Sequence, residues 1–228
     1  MEAIVLAGGF GTRLRQLVAD VPKPMAPIAG RPFLEILLSS LAQKGFSRVI
    51  LSLGFMAQKI SGHFGSEFAG MKIAYVVEQQ PLGTGGAIRL ALEQVTADHV
   101  FVFNGDTFLD LEVQKIEEQW SLNHRSMIVS REVSDTARYG RLLVADGKLD
   151  GFSEKGVSGP GLINAGCYVF SINQLDAFGV GTAFSIEADY LVPAASAGLF
   201  DIFVTHSQFI DIGVPEDFLR AQTELLDR

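Results

Sequence analysis

A chain of 228 residues is long enough for one large domain or two small ones, and area scaling lets it bury about 70% of the surface its unfolded form exposes. With 48% hydrophobic and 19% charged residues and a mean hydropathy of +0.27, the composition excludes a disordered chain. The formal charge of −8 argues against a general binder of nucleic-acid phosphates, since such proteins cluster Lys and Arg.

The opening, MEAIVLAGGFGTR, lacks the basic start and the long apolar run of a signal peptide, so the mature chain is expected to begin at or near Met1. AIVLA reads as a strand and FLEILLSSLAQKG as a helix. RVILSLG is followed by a shorter helix, KIAYVVE by GTGGAIRLALEQV, and HVFVFNGD by VQKIEEQWSLN. This β-α alternation predicts a largely parallel sheet covered on both faces. After Met127 the rhythm changes to MIVSREV, to RLLVADGKLDGF with an Asp146-Gly147 turn, and to LINAGCYVF, which predict antiparallel strands added to the same sheet. The longest uncharged stretch, 156–175, is broken by Pro160, Asn164, Asn173 and Gln174, so no membrane span is expected. Cys167 within it is the one cysteine; it can close no intrachain disulfide and has no Cys-x-x-Cys partner, which points to a reducing compartment and makes the cytoplasm the expected location. SIEADYLVPAASAG reads as a helix with Ser185 as its N-cap, LFDIFV and QFIDIG follow, and Pro215 opens a final helix. No linker, low-complexity tract or internal repeat interrupts the chain. The expected fold is therefore α/β: a single Rossmann-like domain over residues 1–228, with a mixed, mainly parallel sheet, helices on both faces and a small antiparallel extension.

Three constellations carry chemistry. The first is LAGGFGTRL, from Leu6 to Leu14, directly after the first strand. Gly8, Gly9 and Gly11 permit positive φ and close approach of backbone to a ligand, and successive N–H groups in such a loop cradle an anion; the plainer reading is a tight strand-to-helix turn. Neither the G-x-G-x-x-G fingerprint nor the Gly-Lys-Ser/Thr phosphate loop is matched. Arg13 is a forked donor suited to phosphate oxygens, and Lys23 is held between Pro22 and Pro24, so loop and cations together read as a polyphosphate clamp. The second is Asn104-Gly105-Asp106 after VFVF, and the third is Asp211 after QFI, followed by Gly213. In open α/β sheets the ligand crevice lies beyond the carboxyl ends of the strands, where Asp106 is expected. Mg²⁺ asks a protein for one or two carboxylates and takes substrate phosphates and water besides, so Asp106 and Asp211 are the candidate metal ligands.

The ordered set LAGGFGTRL, PKPMAPIAGRP, EQQPLGTGGA, NGD, YG, EK, LINAGCYVF and FIDIGVPEDF resembles the sugar-1-phosphate nucleotidyltransferases over nearly the whole chain. Within that family it is most similar to short guanylyltransferases acting on D-glycero-D-manno-heptose 1-phosphate, then to mannose-1-phosphate guanylyltransferases. The resemblance implies a nucleotide-binding half, residues 1–125, and a sugar-phosphate-binding half, residues 126–228. It places the nucleotide on Leu6, Ala7, Gly8, Gly9, Gly11, Thr12, Arg13, Lys23, Glu78, Pro81, Gly83 and Thr84, and the sugar phosphate on Gly105, Tyr139, Gly140, Glu154, Lys155 and Asn164. It assigns catalysis to Arg13, Lys23, Asp106, Lys155 and Asp211, with Mg²⁺ on Asp106 and Asp211. Gln16, Val18 and Val214 depart from the commoner family pattern without touching a proposed catalytic group, and Val214 forgoes a helix cap worth about 1 kcal/mol.

The implied reaction is attack of a sugar 1-phosphate on the α-phosphorus of a nucleoside triphosphate, giving a nucleotide sugar and pyrophosphate. Two unit charges about 4 Å apart at an effective dielectric near 20 repel by roughly 4 kcal/mol, so an acidic enzyme must concentrate positive groups where its anionic substrates meet. The attacking phosphate is already ionised, so no general base is required, and His63, His99, His124, His206 and Ser158 read as structural. Glu78 can accept hydrogen bonds from N1–H and the exocyclic amine of guanine, a pairing adenine cannot offer, which favours GTP; a mannose-1-phosphate guanylyltransferase or a uridylyl- or cytidylyltransferase of the same family is the alternative. A metal-dependent glycosyltransferase would carry Asp-x-Asp, which this sequence lacks, and a non-catalytic nucleotide-sugar binder would not need Asp106, Asp211 and Lys155 together. The expected partners are small-molecule substrates, with neither nucleic acid nor membrane, and a homo-oligomer is left open.

Overall fold

The computed structural model describes residues 1–9, 18, 21–153, 156–195 and 197–226. The first part of the chain forms β1 (Glu2–Leu6), β2 (Pro27–Ile28), β3 (Arg31–Pro32), α1 (Phe33–Gln43), β4 (Arg48–Leu53), α2 (Ala57–Phe64), β5 (Glu67–Phe68), β6 (Met71–Val77), α3 (Gly83–Leu92), β7 (His99–Asn104), β8 (Thr107–Leu109) and α4 (Val113–Asn123). The second part adds β9 (Met127–Val133), β10 (Leu142–Ala145), β11 (Lys148–Phe152), β12 (Gly161–Ser171), α5 (Val192–Ala195), β13 (Asp201–Thr205), β14 (Phe209–Asp211) and α6 (Pro215–Glu224).

Among the described residues ten strands form one sheet in the order β10-β11-β13-β9-β12-β7-β1-β4-β6-β5. β1 pairs in parallel with β4 and β7, β4 with β6, and β9 with β13, while β12 runs antiparallel to both of its neighbours. Only β5, β11 and β12 oppose the common direction, so the sheet is mixed and mainly parallel, as expected. Alternation along β1 explains the layering. Ala3 and Val5 face the layer of α1, α2 and α4, and Ile4 faces the layer of α3 and α5, so the central strand is buried on both sides. A third cluster, built on Phe108, Ile210 and Phe218, packs α6 and the β8–β14 ribbon against α1. No helix among the described residues is long and apolar enough to cross a membrane.

Local signals settle several details. Asp146 and Gly147, with φ of 49° and 72°, make the left-handed pair that a two-residue hairpin between β10 and β11 requires. Ser185 caps the next helical segment through its side chain, which accepts the Ala188 N–H at 3.2 Å; the segment begins as a π-turn, Ile186–Leu191. Val214, at the start of α6, gives no side-chain cap, and Pro215 follows it.

Candidate active site

β7, β1, β4 and β6 end along one edge of the sheet, where Asn104, Leu6 and Ser52 stand in register. The loops beyond these ends enclose a cavity of about 480 Å³ bordered by Leu6, Gly8, Gly9, Lys23, Glu78, Pro81, Gly83, Thr84, Gly105 and Asp106, all of them expected site residues. Ser52, Gly54, Phe55 and Asn104 also border it. Ala7 does not: it is 1% exposed, sits in the core behind the cavity and donates its N–H to the Ser52 carbonyl at 2.8 Å. Gly11, Thr12 and Arg13 lie outside the described residues, as do Glu154 and Lys155.

Close approach, rather than positive φ, explains the first glycines. Neither Gly8 nor Gly9 lies in the left-handed region. A Cβ on Gly8 would stand 2.8 Å from Glu78 Oε1 and 3.1 Å from the Gly54 nitrogen, whereas one on Gly9 would meet nothing within 4 Å. Gly8 thus lets the β1 and β4 loops touch, and Gly9 leaves the cavity wall open. Gly105 is also obligatory: its N–H donates to the Leu6 carbonyl at 2.9 Å, and a Cβ would fall 2.5 Å from that oxygen.

Lys23 begins a single 3₁₀ turn, Lys23–Met25, entered from an extended Pro22, and its side chain is only 11% exposed. Its Nζ pairs with the Asp106 carboxylate. Asp211 joins them from the β8–β14 ribbon, where it stands opposite Thr107, and the Ile212 N–H donates to the Asp106 carbonyl at 3.0 Å. The Asp211 Oδ1 accepts the Gly213 N–H at 2.7 Å, and a Cβ on Gly213 would lie 2.7 Å from that oxygen and 3.2 Å from Lys23 Nζ. One ammonium and two carboxylates therefore crowd together, 83 residues separating Lys23 from Asp106. Burial and the neighbouring Asp106 charge push the Asp211 carboxyl up, against the pull of Gly213 and Lys23. An additional cation would relieve that repulsion, and two hard carboxylates are the donor set Mg²⁺ accepts. The two aspartates fit the ion they are expected to hold.

Glu78 follows β6, three strands along the sheet from β7, whose end carries Asp106. Its Oε2 accepts the Leu82 N–H at 2.8 Å, and burial pushes its carboxyl up. The Gly83-Thr84-Gly85-Gly86 run answers packing: Cβ atoms at Gly83, Gly85 and Gly86 would meet the Phe184 carbonyl at 2.6 Å, the Phe184 ring at 2.2 Å and the Thr182 carbonyl at 2.4 Å.

Of the expected sugar-phosphate residues, Gly105 borders the first cavity. Tyr139, Gly140 and Asn164 border a second one of about 270 Å³, with Ser153, Ser185 and Glu187. Asn164 is partly committed, donating to the Tyr168 hydroxyl at 2.7 Å and accepting from the Gly166 N–H at 3.0 Å, at a bulge in β12. An edge contact between Tyr139 and Phe209, centroids 6.3 Å apart, connects this cavity to the strand that carries Asp211. Sequence reasoning missed Ser52, Glu187 and the buried Asp217, which binds Arg138 beside Tyr139. None of the four histidines borders either cavity, and His99 is held between Asp98 and Glu117.

Comparison with known proteins agrees with this architecture. The chain is 38% identical to a D-glycero-alpha-D-manno-heptose 1-phosphate guanylyltransferase of Aneurinibacillus thermoaerophilus, covering 99% of this chain and 98% of the relative. It is 40% identical to the protein of that name from Campylobacter jejuni, over 96% and 97%. The crystal structure of HddC from Yersinia pseudotuberculosis complexed with GMP-PN superposes with a TM-score of 0.86 at 40% identity, covering 97% of each chain. The family model described as Nucleotidyl transferase matches residues 2–228, and the chain belongs to that family.

Proposed function

We propose that this protein is a guanylyltransferase that joins GTP and D-glycero-α-D-manno-heptose 1-phosphate into GDP-heptose, releasing pyrophosphate. The observation that carries the reading is the meeting of Lys23, Asp106 and Asp211 at the edge of a nucleotide-sized cavity that also presents Glu78. The near full-length similarity to heptose 1-phosphate guanylyltransferases supports the substrate pair.

In this reading the nucleotide lies across the strand ends, base toward Glu78 and phosphates toward Lys23. Every described residue bordering the first cavity precedes position 107 and every described one bordering the second follows position 138, which supports a nucleotide half over 1–125 and a sugar-phosphate half over 126–228. Lys23, kept rigid by its flanking prolines, stabilises charge on the phosphates; Arg13 and Lys155, assigned by resemblance, extend the positive set. Asp106 and Asp211 would hold Mg²⁺, which when bound neutralises phosphate charge. Tyr139 and Gly140 form part of the wall of the sugar pocket, the Gly140 N–H being held by the Thr136 carbonyl at 3.2 Å. The protein orients the sugar phosphate in line with the α-phosphorus and requires no general base. Cys167, buried and free, suits a reducing compartment, and we place the enzyme in the cytoplasm.

A pyrophosphate-release assay crossing GTP, ATP, UTP and CTP with the 1-phosphates of heptose, mannose and glucose tests the proposal. The highest kcat/KM is expected for GTP with the heptose. Faster turnover with UTP, or with glucose 1-phosphate, would overturn it.

A further inference from the structure

At the floor of the nucleotide cavity lies a buried hydroxyl that no described residue bonds. Ser52 is 1% exposed, borders the cavity beside Leu6, Gly54 and Glu78, and among the described residues its Oγ has no hydrogen-bond partner. Its backbone is fixed: Leu6 and Val76 stand on either side in register, and its carbonyl accepts the Ala7 N–H at 2.8 Å. Ile50, two residues earlier on the same face, packs in the α3 layer, so the Ser52 side chain points to that side of the sheet. Buried polar atoms are nearly always paired, so an orphan on a cavity wall is a group whose partner arrives with the ligand.

We infer that Ser52 reads the base: its hydroxyl hydrogen-bonds guanine at a polar atom that Glu78 does not take. The inference rests on the guanylyltransferase reading above. Along the strand ends the order is Asp106 after β7, Gly8 after β1, Ser52 on β4 and Glu78 after β6, so Ser52 belongs to the strand adjoining the base end, away from the phosphate cluster. Glu78 Oε2 already accepts from Leu82, which leaves Oε1 as its freer acceptor. Guanine presents N1–H, a 2-amino group and O6 along one edge, more than that oxygen satisfies. A hydroxyl both donates and accepts, so Ser52 can serve O6 or the amino group. Among the described residues the other hydroxyl on this wall, Thr84 Oγ1, already accepts the Ile186 N–H at 3.1 Å. A buried group left unpaired by the wrong base is an effective discriminator, because the mismatch loses the bond and keeps the desolvation.

The test is Ser52→Ala, with GTP, ITP and UTP binding measured by calorimetry in Mg²⁺ without sugar phosphate. The Kd for GTP is expected to rise about five- to tenfold, with UTP affinity unchanged. The melting midpoint of the nucleotide-free protein should hold or rise, since an orphaned hydroxyl has been removed. ITP lacks the 2-amino group: an equal loss with ITP assigns the contact to O6, and no loss with ITP assigns it to the amino group. Unchanged GTP affinity, or an equal loss for GTP and UTP, would overturn the inference. A wild-type protein without preference for GTP would instead overturn the guanylyltransferase reading, a separate and distinguishable result.

Discussion

Asp106 and Asp211 are distant in sequence, yet a single ribbon of β8 and β14 sets their backbones side by side and leaves Lys23 between the chemistry of one and the charge of the other. Asp106→Asn keeps the shape and removes the charge. At saturating Mg²⁺ and both substrates, pyrophosphate release is expected to fall about 10²- to 10³-fold, the scale of losing one well-placed electrostatic group, with the circular dichroism spectrum unchanged. Near-wild-type turnover would remove Asp106 from the catalytic set. Both aspartates and the proline-flanked lysine are legible in the sequence because their neighbours announce backbone geometry: Gly105 must clear the Leu6 carbonyl, and Pro22 and Pro24 restrict the turn. Ser52 is not legible. A serine in RVILSLG looks like any polar residue interrupting a strand, and only the assembled sheet reveals that no described atom satisfies it.

At the scale of elements, two loops far apart in sequence are bound into one wall. Asp217, in the first turn of α6 and 3% exposed, accepts from Arg138 Nη2 at 2.7 Å and also pairs with Arg220 at 2.9 Å. Arg138 precedes the Tyr139-Gly140 pair of the second cavity, and α6 follows the strand that carries Asp211, so the Arg138–Asp217 pair ties the loop of the second cavity to the helix that follows that strand. The same loop is braced from the other side, where the Gly156 N–H donates to the Ala137 carbonyl at 2.9 Å and the Ser153 N–H to the Arg141 carbonyl at 2.8 Å. Asp217→Asn removes the carboxylate that Arg138 binds and one of the two that Arg220 binds, Glu224 being the other. It should cost about 1–3 kcal/mol of stability and raise the KM for sugar 1-phosphate about tenfold, while the KM for GTP stays within twofold. Steady-state kinetics with each substrate varied in turn decides it, since a general loss of structure would move both constants. The helices and strands themselves follow from periodicity, but this bond does not: Arg138 and Asp217 are ordinary surface residue types, and their meeting depends on how the final helix docks.

The whole sheet depends on long-range order that local patterns do not carry. The repeated β-α rhythm predicts the parallel centre, and the Asp146-Gly147 turn predicts one hairpin, but nothing local places β13 between β9 and β11. That insertion comes from satisfying the backbone edge of β9, a tertiary demand. The central strand shows a comparable demand at its first residue. Glu2, 7% exposed, accepts from the Thr96 N–H and hydroxyl at 2.8 and 2.7 Å and from Arg48 at 3.0 Å, joining β1 to β4 and to the turn before β7. Burial alone would push this carboxyl up; the bonds from Thr96, Arg48 and Ala97 overcome it and hold it at about 2. Because the folded value lies below the ordinary 4.5, the unfolded chain binds this proton more tightly, so the contribution is complete above about pH 4.5 and is lost as pH falls toward 2. Glu2→Gln removes that titration. Urea denaturation should find the variant about 1–3 kcal/mol less stable than wild type at pH 7, the scale of hydrogen bonds to a charged group, with the gap narrowing steadily between pH 4.5 and the acid limit of folding. A gap that is constant across that window would mean that Glu2 acts through packing and that its charge contributes nothing.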